Sequence, residues 1–376
     1  MAQARAGHGS PPVVDASDVI IVGGGVAGLS AAALLAPYKR VLLLEREALL
    51  ASQASGNNAA IHRPLEQDAR SAQLARRSRE LLAALIGPDV YQASGLLLVS
   101  GEAAPIAALA QVAASQALRH SVCEASDLRL RAPSLEGGSA RHGLFLADGG
   151  VLDLPALTSG LARVARSRGA QLQTSVGVAR VTHTAGRVSG VALAGGEQIA
   201  AEHVVLAAGA WSATLAAASG LPLPLTPRRR HLVQLEAADC AIACEPVIWR
   251  LDDEVYYRPE GGQRVLASPC DQTPWPAEQP AHDPAELRSL AQKLERLAPR
   301  LAGARVRHSW ACLRTFAPDA ELVAGCDPRV HGLHWLGGLG GRGMSVATAA
   351  AEVLVDSLLG RCESPHRVAL APERYT

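Results

Sequence analysis

The sequence predicts an α/β fold in two parts: a Rossmann-like, parallel-sheet part and a mainly antiparallel part. Three observations carry that expectation. The apolar run VIIV (19–22) breaks on three glycines and leads into a helix of small residues. A second apolar run, VLLLE (41–45), ends in an acid. From residue 171 onward, strand-like runs alternate with glycine turns.

Size and charge agree with this. The chain has 376 residues, which favours two intertwined domains around one cofactor. Apolar residues make up 48%, enough for a large core. The net charge of +1 gives no electrostatic case for nucleic acid or for an anionic membrane. The basic residues are nearly all Arg and Ala is abundant, which reads as genome base composition. No uninterrupted apolar run reaches membrane-spanning length, and residues 1–17 lack the apolar stretch of a signal peptide, so they read as a flexible N-terminal arm. The seven dispersed cysteines point to reduced thiols and a cytoplasmic location. Cys240 and Cys244 have no second pair at zinc-site spacing, so no metal centre is expected.

The chain then reads as follows. Residues 19–22 form a buried strand, 26–36 a helix and 41–45 the next strand, a βαβ start. ARSAQLARRSRELLAALI (69–86) gives a long amphipathic helix, GLLLVSG (95–101) a strand and 104–118 a helix, and Pro133, Gly137 and Gly138 mark a loop. After residue 150 a helix opens on Pro155 and closes on Gly169. A three-strand meander follows and ends in VVLAAGAW (204–211). Strand-like runs fill 228–270, a helix covers 284–298, and 332–359 reads strand, glycine loop, helix. The expected division places 18–90, 150–220 and 305–376 in the cofactor domain and 91–149 and 221–304 in the substrate domain.

Gly23-Gly24-Gly25-Val26-Ala27-Gly28 is a G-x-G-x-x-G motif between strand and helix. Gly23 permits the tight turn, Gly25 the close approach of a pyrophosphate, and Gly28 the packing of helix on strand. The helix N-terminus then faces the phosphates. Glu45, 22 residues after Gly23, stands where a carboxylate accepts from ribose hydroxyls.

With VVLAAGAW and GGLGGRGMS (337–345) added, the chain resembles the FAD-dependent D-amino-acid oxidase/dehydrogenase family, which includes glycine oxidase and sarcosine oxidase, over residues 18–360. The resemblance implies FAD as cofactor. It implies that ASGNNAA (54–60), following Glu45-Arg46, wraps pyrophosphate and flavin with Ser55, Asn57, Asn58 and Ala59. Val178 matches the residue whose backbone meets adenine, and Ala208 and Gly209 match a second loop near the cofactor. Gly340, Gly341, Arg342, Gly343, Met344 and Ser345 match the loop that opens the last helix beside the flavin. A helix end there stabilises negative charge near flavin N1 and the C2 carbonyl.

HSWACLRTFAPDAELVAG (308–325) is similar to the corresponding stretch of D-arginine dehydrogenase within that family. The resemblance implies that Arg314 holds a substrate carboxylate in a bidentate pair, assisted by Arg230, with Arg229 as fallback, and by Tyr256. The chain departs from that relative in its side-chain pocket. Leu96 stands where the arginine enzyme has a Glu, Ile61 followed by His62 replaces its His, and Glu66 replaces a capping Tyr, so D-arginine is not the expected substrate. Glu66 then meets either a cationic or amino group or solvent. Cys312 lies where sarcosine oxidase-like members attach flavin covalently; a small buried residue with non-covalent FAD is the favoured reading. RVLASP (264–269) lacks the lysine that assists oxygen, leaving O2, quinone or another electron acceptor open.

The expected function is oxidation of a C–N bond in an amino acid, by hydride transfer to flavin N5 with an imine product. Rival readings are a glycine- or sarcosine-type secondary-amine oxidase, including one that finishes a modified tRNA nucleotide or serves secondary metabolism. Another is the electron-transferring flavin subunit of a heteromeric amine dehydrogenase, and a third is an NAD-linked dehydrogenase.

Overall fold

A computed structural model describes residues 17–66, 68–237, 242, 244–361 and 363–376. Residues 1–16 of the expected arm, Cys240 and Cys362 lie outside the described residues; Ser17 is already part of the first strand.

The first sheet is built on Ser17–Val22. Its parallel neighbours are Val41–Leu44 and Gln198–Leu206, and Leu333–Gly337 lies beyond the latter, also parallel. Val19, Ile20 and Ile21 are fully buried, because a parallel sheet covered on both faces leaves no polar side to alternate with. Val26–Leu35 is short and almost wholly buried, which explains its Ala, Gly and Ser content. It packs against Gly343–Leu358 and Leu154–Ser167, with Ser30 Oγ and Thr348 Oγ1 3.1 Å apart. The meander is present as Val178–Thr184, Arg187–Leu193 and Gln198–Leu206.

The second sheet has eight strands, and six of its seven neighbouring pairs are antiparallel. The exception is Val247–Arg250, which runs parallel to Leu96–Ser100. Arg305–Phe316 falls inside the 305–376 segment expected in the cofactor domain. It belongs instead to the second sheet, paired along its length with Thr226–Glu236. Two strands of this sheet, His120–Glu124 and His142–Leu146, went unread. The first has a single buried residue, Cys123, and so carries no alternating apolar signal. The helix expected over 104–118 stops at Ser115, and Ala117 just beyond it takes φ 53°.

The long helices fall where their periodicity puts them, at Ala69–Ile86 and Pro284–Leu297. Asp68 caps the first through the Ser71 N–H at 2.8 Å, and Asp283 caps the second through Ala285. Among the described residues no helix is long and apolar enough to cross a membrane.

Two buried histidines make stability sensitive to acid. Burial pushes His62 down to about 4 and His334 down to about 3. Between those values and the ordinary imidazole value the unfolded chain binds protons that the folded chain refuses, so stability falls as pH falls. Each group removes about 2 kcal/mol at pH 5 relative to pH 8. Melting temperature is expected to drop over that interval and to drop less in the variant carrying His62→Gln and His334→Gln. Equal slopes in the two proteins would remove the histidines as the cause.

Candidate active site

The glycine turn is held by contacts that tolerate no side chain. Gly23 has φ +112°, and a Cβ there would come 2.5 Å from the Ala207 carbonyl oxygen. A Cβ on Gly28 would lie 1.9 Å from the Gly23 carbonyl oxygen. Gly25 is the N-cap of Val26–Leu35 and supplies no capping side chain; Ser55 Oγ accepts from the Val26 N–H at 2.9 Å. The Glu45 carboxylate accepts from the Gly24 N–H at 2.7 Å and the Glu47 N–H at 2.9 Å. The Arg46 guanidinium lies 3.8 Å from the centre of the Trp211 ring.

Gly23, Gly25, Val26, Glu45, Arg46, Ser55 and Trp211 line one cavity of about 310 Å³. Its opposite part is lined by Ile61, Arg63, Trp249, Tyr256, Cys312, Arg314 and the glycine loop from Gly337 to Met344. Gly340 N–H donates to Thr315 O at 2.8 Å, and Phe316 bridges to Leu339, so the loop is fastened to the end of Arg305–Phe316. That fastening brings Arg314 to the loop: a Cβ on Gly341 would lie 3.4 Å from Arg314 Nη1. Arg314 Nη2 donates to the Tyr256 hydroxyl at 3.3 Å. Burial opposes charge on Arg314, but a guanidinium keeps its proton at neutral pH, and Tyr256, Cys312 and Cys270 would hold it more tightly still if they ionised. Burial pushes the Cys312 and Cys270 thiols up, against the pull of Arg230 and Arg314.

Of the residues expected at the cofactor, Gly23, Gly25, Val26, Ala27, Glu45, Arg46, Ser55, Asn58, Ala59, Val178, Ala208, Gly209, Gly340, Gly341, Gly343 and Met344 line the cavity. Others are turned elsewhere. Gly28 packs under the turn. Asn57 serves its loop, donating to Ser52 O at 2.6 Å while its own carbonyl accepts from Trp310 Nε1. Arg342 points away, donating to Ser71 Oγ and Ala320 O. Ser345 Oγ accepts from the Arg63 N–H at 3.1 Å.

The substrate-side expectations need three corrections. His62 does not face this cavity: in the strand Ile61–His62 alternate residues point to opposite sides, so Ile61 lines it. His62 instead lines a neighbouring cavity of about 180 Å³ with Arg79 and Tyr91. Glu66 meets a cationic group, one of its two expected partners, but that group is the chain's own Arg63, bonded at 2.9 and 3.0 Å, and the carboxylate is buried and does not line this cavity. Arg230 is buried opposite Cys312 in the strand register, where its charge reaches Asp271, Cys270 and Cys312, and it does not line the cavity. Its fallback, Arg229, is paired with Asp283 at 2.9 Å on the other face of the strand. Leu96 is likewise packed into the apolar cluster that holds Tyr256 and Cys312. Reading the sequence missed Arg63, Trp211 and Trp249 at the cavity wall. For Trp249 the signal was present, since the alternation of VIWR (247–250) places it on the same face as Val247.

A glycine turn against a helix N-terminus, an acid at the second strand and a guanidinium across the cavity define a two-domain, dinucleotide-dependent oxidoreductase. The profile of the FAD dependent oxidoreductase family matches residues 18–357, and the chain belongs to that family. It is 28% identical over 355 residues to 4-methylaminobutanoate oxidase (formaldehyde-forming) of Paenarthrobacter nicotinovorans, covering 90% of this chain and 43% of that one. To a D-amino acid dehydrogenase of Cereibacter sphaeroides it is 30% identical over 236 residues, 62% of this chain and 52% of the relative. The chain spans about half the length of the curated relatives it matches. The fold is that of glycine oxidase from Geobacillus kaustophilus, with a TM-score of 0.84 at 22% identity, covering 96% of this chain and 100% of that one.

The residues present fit FAD. Gly25 puts no side chain of its own at the opening of Val26–Leu35, where only the small Ser55 hydroxyl reaches the Val26 N–H, and Gly343–Leu358 also begins without a side-chain cap from its N-cap residue. Both helix ends offer N–H donors to anionic or electron-rich groups. Glu45, already oriented by two backbone N–H groups, has acceptor capacity left for hydroxyls. Glu45→Gln is expected to keep the fold and to weaken FAD binding about tenfold, the difference between a charged and a neutral acceptor. Titration of the apoprotein with FAD, followed by flavin fluorescence, measures it; an unchanged dissociation constant would remove Glu45 from the cofactor site.

Proposed function

We propose that the protein oxidises the C–N bond of an amino acid or a carboxylated amine and releases an imine. One observation carries the reading. Arg314 lines the cavity as a charged guanidinium whose hydrogen-bond partner there is a neutral phenol. A buried cation without an anion is costly unless a ligand supplies one. The names of the relatives point the same way, each an oxidase or dehydrogenase of an amine or amino acid.

In this reading Arg314 grips the carboxylate and Tyr256 adds a hydrogen bond, fixing the carbon that loses hydride. Arg230 works from behind the wall: its charge adds to the field on the carboxylate without touching it. FAD supplies the hydride acceptor. The amine must react in its neutral form. Among the described residues no acidic side chain lines this half of the cavity to hold an ammonium proton, which favours its loss to water. Cys312 stays a protonated thiol, a weak nucleophile, so the flavin is held without a covalent bond.

Arg314→Met is expected to retain FAD and to lower kcat/KM on the best carboxylated substrate by about a hundredfold or more, the usual cost of losing a desolvated charge pair. Stopped-flow bleaching of the flavin band under anaerobic conditions measures it, and full turnover in the variant would end the anchor role. Acid precipitation is expected to leave all flavin in the supernatant, in the native protein and in Cys312→Ala alike. Yellow protein in the native pellet alone would establish a bond at Cys312.

A further inference from the structure

The cavity has a second cation that the carboxylate-anchor role leaves unused. Arg63 follows the strand Ile61–His62 and lines the same wall as Arg314. Its position is fixed three ways. Its backbone N–H donates to Ser345 Oγ at 3.1 Å, in the first turn of the last long helix. Its guanidinium lies 4.9 Å from the centre of the Trp249 ring. Its Nη2 donates to both oxygens of buried Glu66, at 2.9 and 3.0 Å.

Glu66 engages Nη2 alone. Arg63 Nε is buried and, among the described residues, has no hydrogen-bond partner. Nearly three-quarters of the Arg63 side chain is covered, with 27% exposed, so its donors sit in partly dry surroundings where an acceptor is worth more than in water. Trp249 stacks against Tyr256 with ring centres 4.8 Å apart, and Tyr256 accepts from Arg314 at 3.3 Å. Arg63, Trp249, Tyr256 and Arg314 thus form one continuous strip, with a guanidinium at each end and two aromatic rings between.

Charge along the cavity selects what such a strip takes. Among the described residues lining the cavity the only acid is Glu45, and it is tied to the Gly24 and Glu47 N–H groups at the glycine turn. A cationic side chain lying along the strip would meet two guanidiniums and no carboxylate of the cavity lining, since Glu66 lies behind Arg63 and is already paired with it. An apolar side chain would leave the Arg63 donors unmatched. A second carboxylate at the far end would satisfy them, since Arg pairs with carboxylates in short charge-assisted bonds.

We propose that Arg63 is the specificity residue of this site, and that the substrate is a dicarboxylic amino acid or amine whose second carboxylate binds Arg63 while the first binds Arg314. The proposal rests on the anchor role of Arg314. Trp249 keeps the Arg63 guanidinium in place, and Glu66 sets its orientation while compensating its charge when the site is empty.

Unreactive acids test this by binding alone. The FAD-loaded protein is titrated with straight-chain dicarboxylates from succinate to suberate and with monocarboxylates of the same lengths, read as perturbation of the flavin absorbance band. One dicarboxylate length is expected to bind at least about tenfold more tightly than its monocarboxylate, the worth of one charge-assisted pair. Arg63→Met is expected to abolish that advantage while leaving monocarboxylate affinity unchanged, and Arg63→Lys to keep part of it. Arg314→Met is expected to weaken both series. FAD content and melting temperature confirm that each variant is folded; if Arg63→Met is not, Arg63→Lys and Trp249→Leu decide, both being expected to shrink the dicarboxylate advantage. Dicarboxylates that bind no better than monocarboxylates, or an advantage that survives these substitutions, overturn the Arg63 proposal while the Arg314 reading stands. Binding of both series that is indifferent to Arg314→Met, or no binding at all, overturns both.

Discussion

The arrangement depends on one strand that serves both halves of the molecule. Arg305–Phe316 pairs with Thr226–Glu236 along its length, and its last residues also bond on their other side to the glycine loop of the first sheet. Backbone hydrogen bonds on both sides fix its register, and register decides which side chains face the cavity. A slip of one residue would turn the Arg314 and Cys312 side chains to the other face of the sheet. The position of the proposed carboxylate anchor is therefore set by main-chain pairing, which side-chain changes nearby do little to disturb.

Around that strand the charges are arranged unevenly. The negative groups near the arginines are engaged elsewhere. Asp271 holds His231 at 2.8 Å, and Asp283 holds Arg229. His231 Nε2 accepts from the Asp283 N–H, which puts the ring proton on Nδ1, facing Asp271. With its acids committed behind the sheet, the cavity side keeps positive potential for an incoming anion. In surroundings of low polarizability that potential acts strongly over short distances. Tyr256, wedged between Trp249 and Arg314, adds a donor and acceptor without adding charge.

Much of this was legible in the sequence, and the part that was not has a physical explanation. The turn at Gly23–Gly28, the acid at Glu45 and the long helices are local features, carried by spacing and by residues only a few positions apart. Arg314 and Tyr256 were legible because their surrounding runs are distinctive. Arg63 was missed because it matters only once two sheets come together, and no periodicity in one segment shows that; for Trp249 alternation shows the face but not the cavity beside it. His62 failed for a different reason: adjacent strand residues point oppositely, so an assignment off by one position lands in another cavity. Glu66 was placed in the pocket facing a cationic or amino group or solvent, and only the fold shows that the cation is its own neighbour three residues away. The assignment of 305–316 to the cofactor half failed because the same strand touches both sheets.

The order in which the first sheet draws its strands has a consequence for how the chain reaches this state. Its central strand comes from residues 17–22, its neighbours from 41–44 and 198–206, and the next from 333–337. During synthesis the Val204–Leu206 end of Gln198–Leu206 stays open on the ribosome until residues 333–337 have emerged. Contacts this distant in sequence make for slow folding and long exposure of a sticky apolar edge. A chain interrupted before residue 333 would carry the entire glycine turn and still lack the strand that closes that edge, which marks such fragments for aggregation or for capture by chaperones.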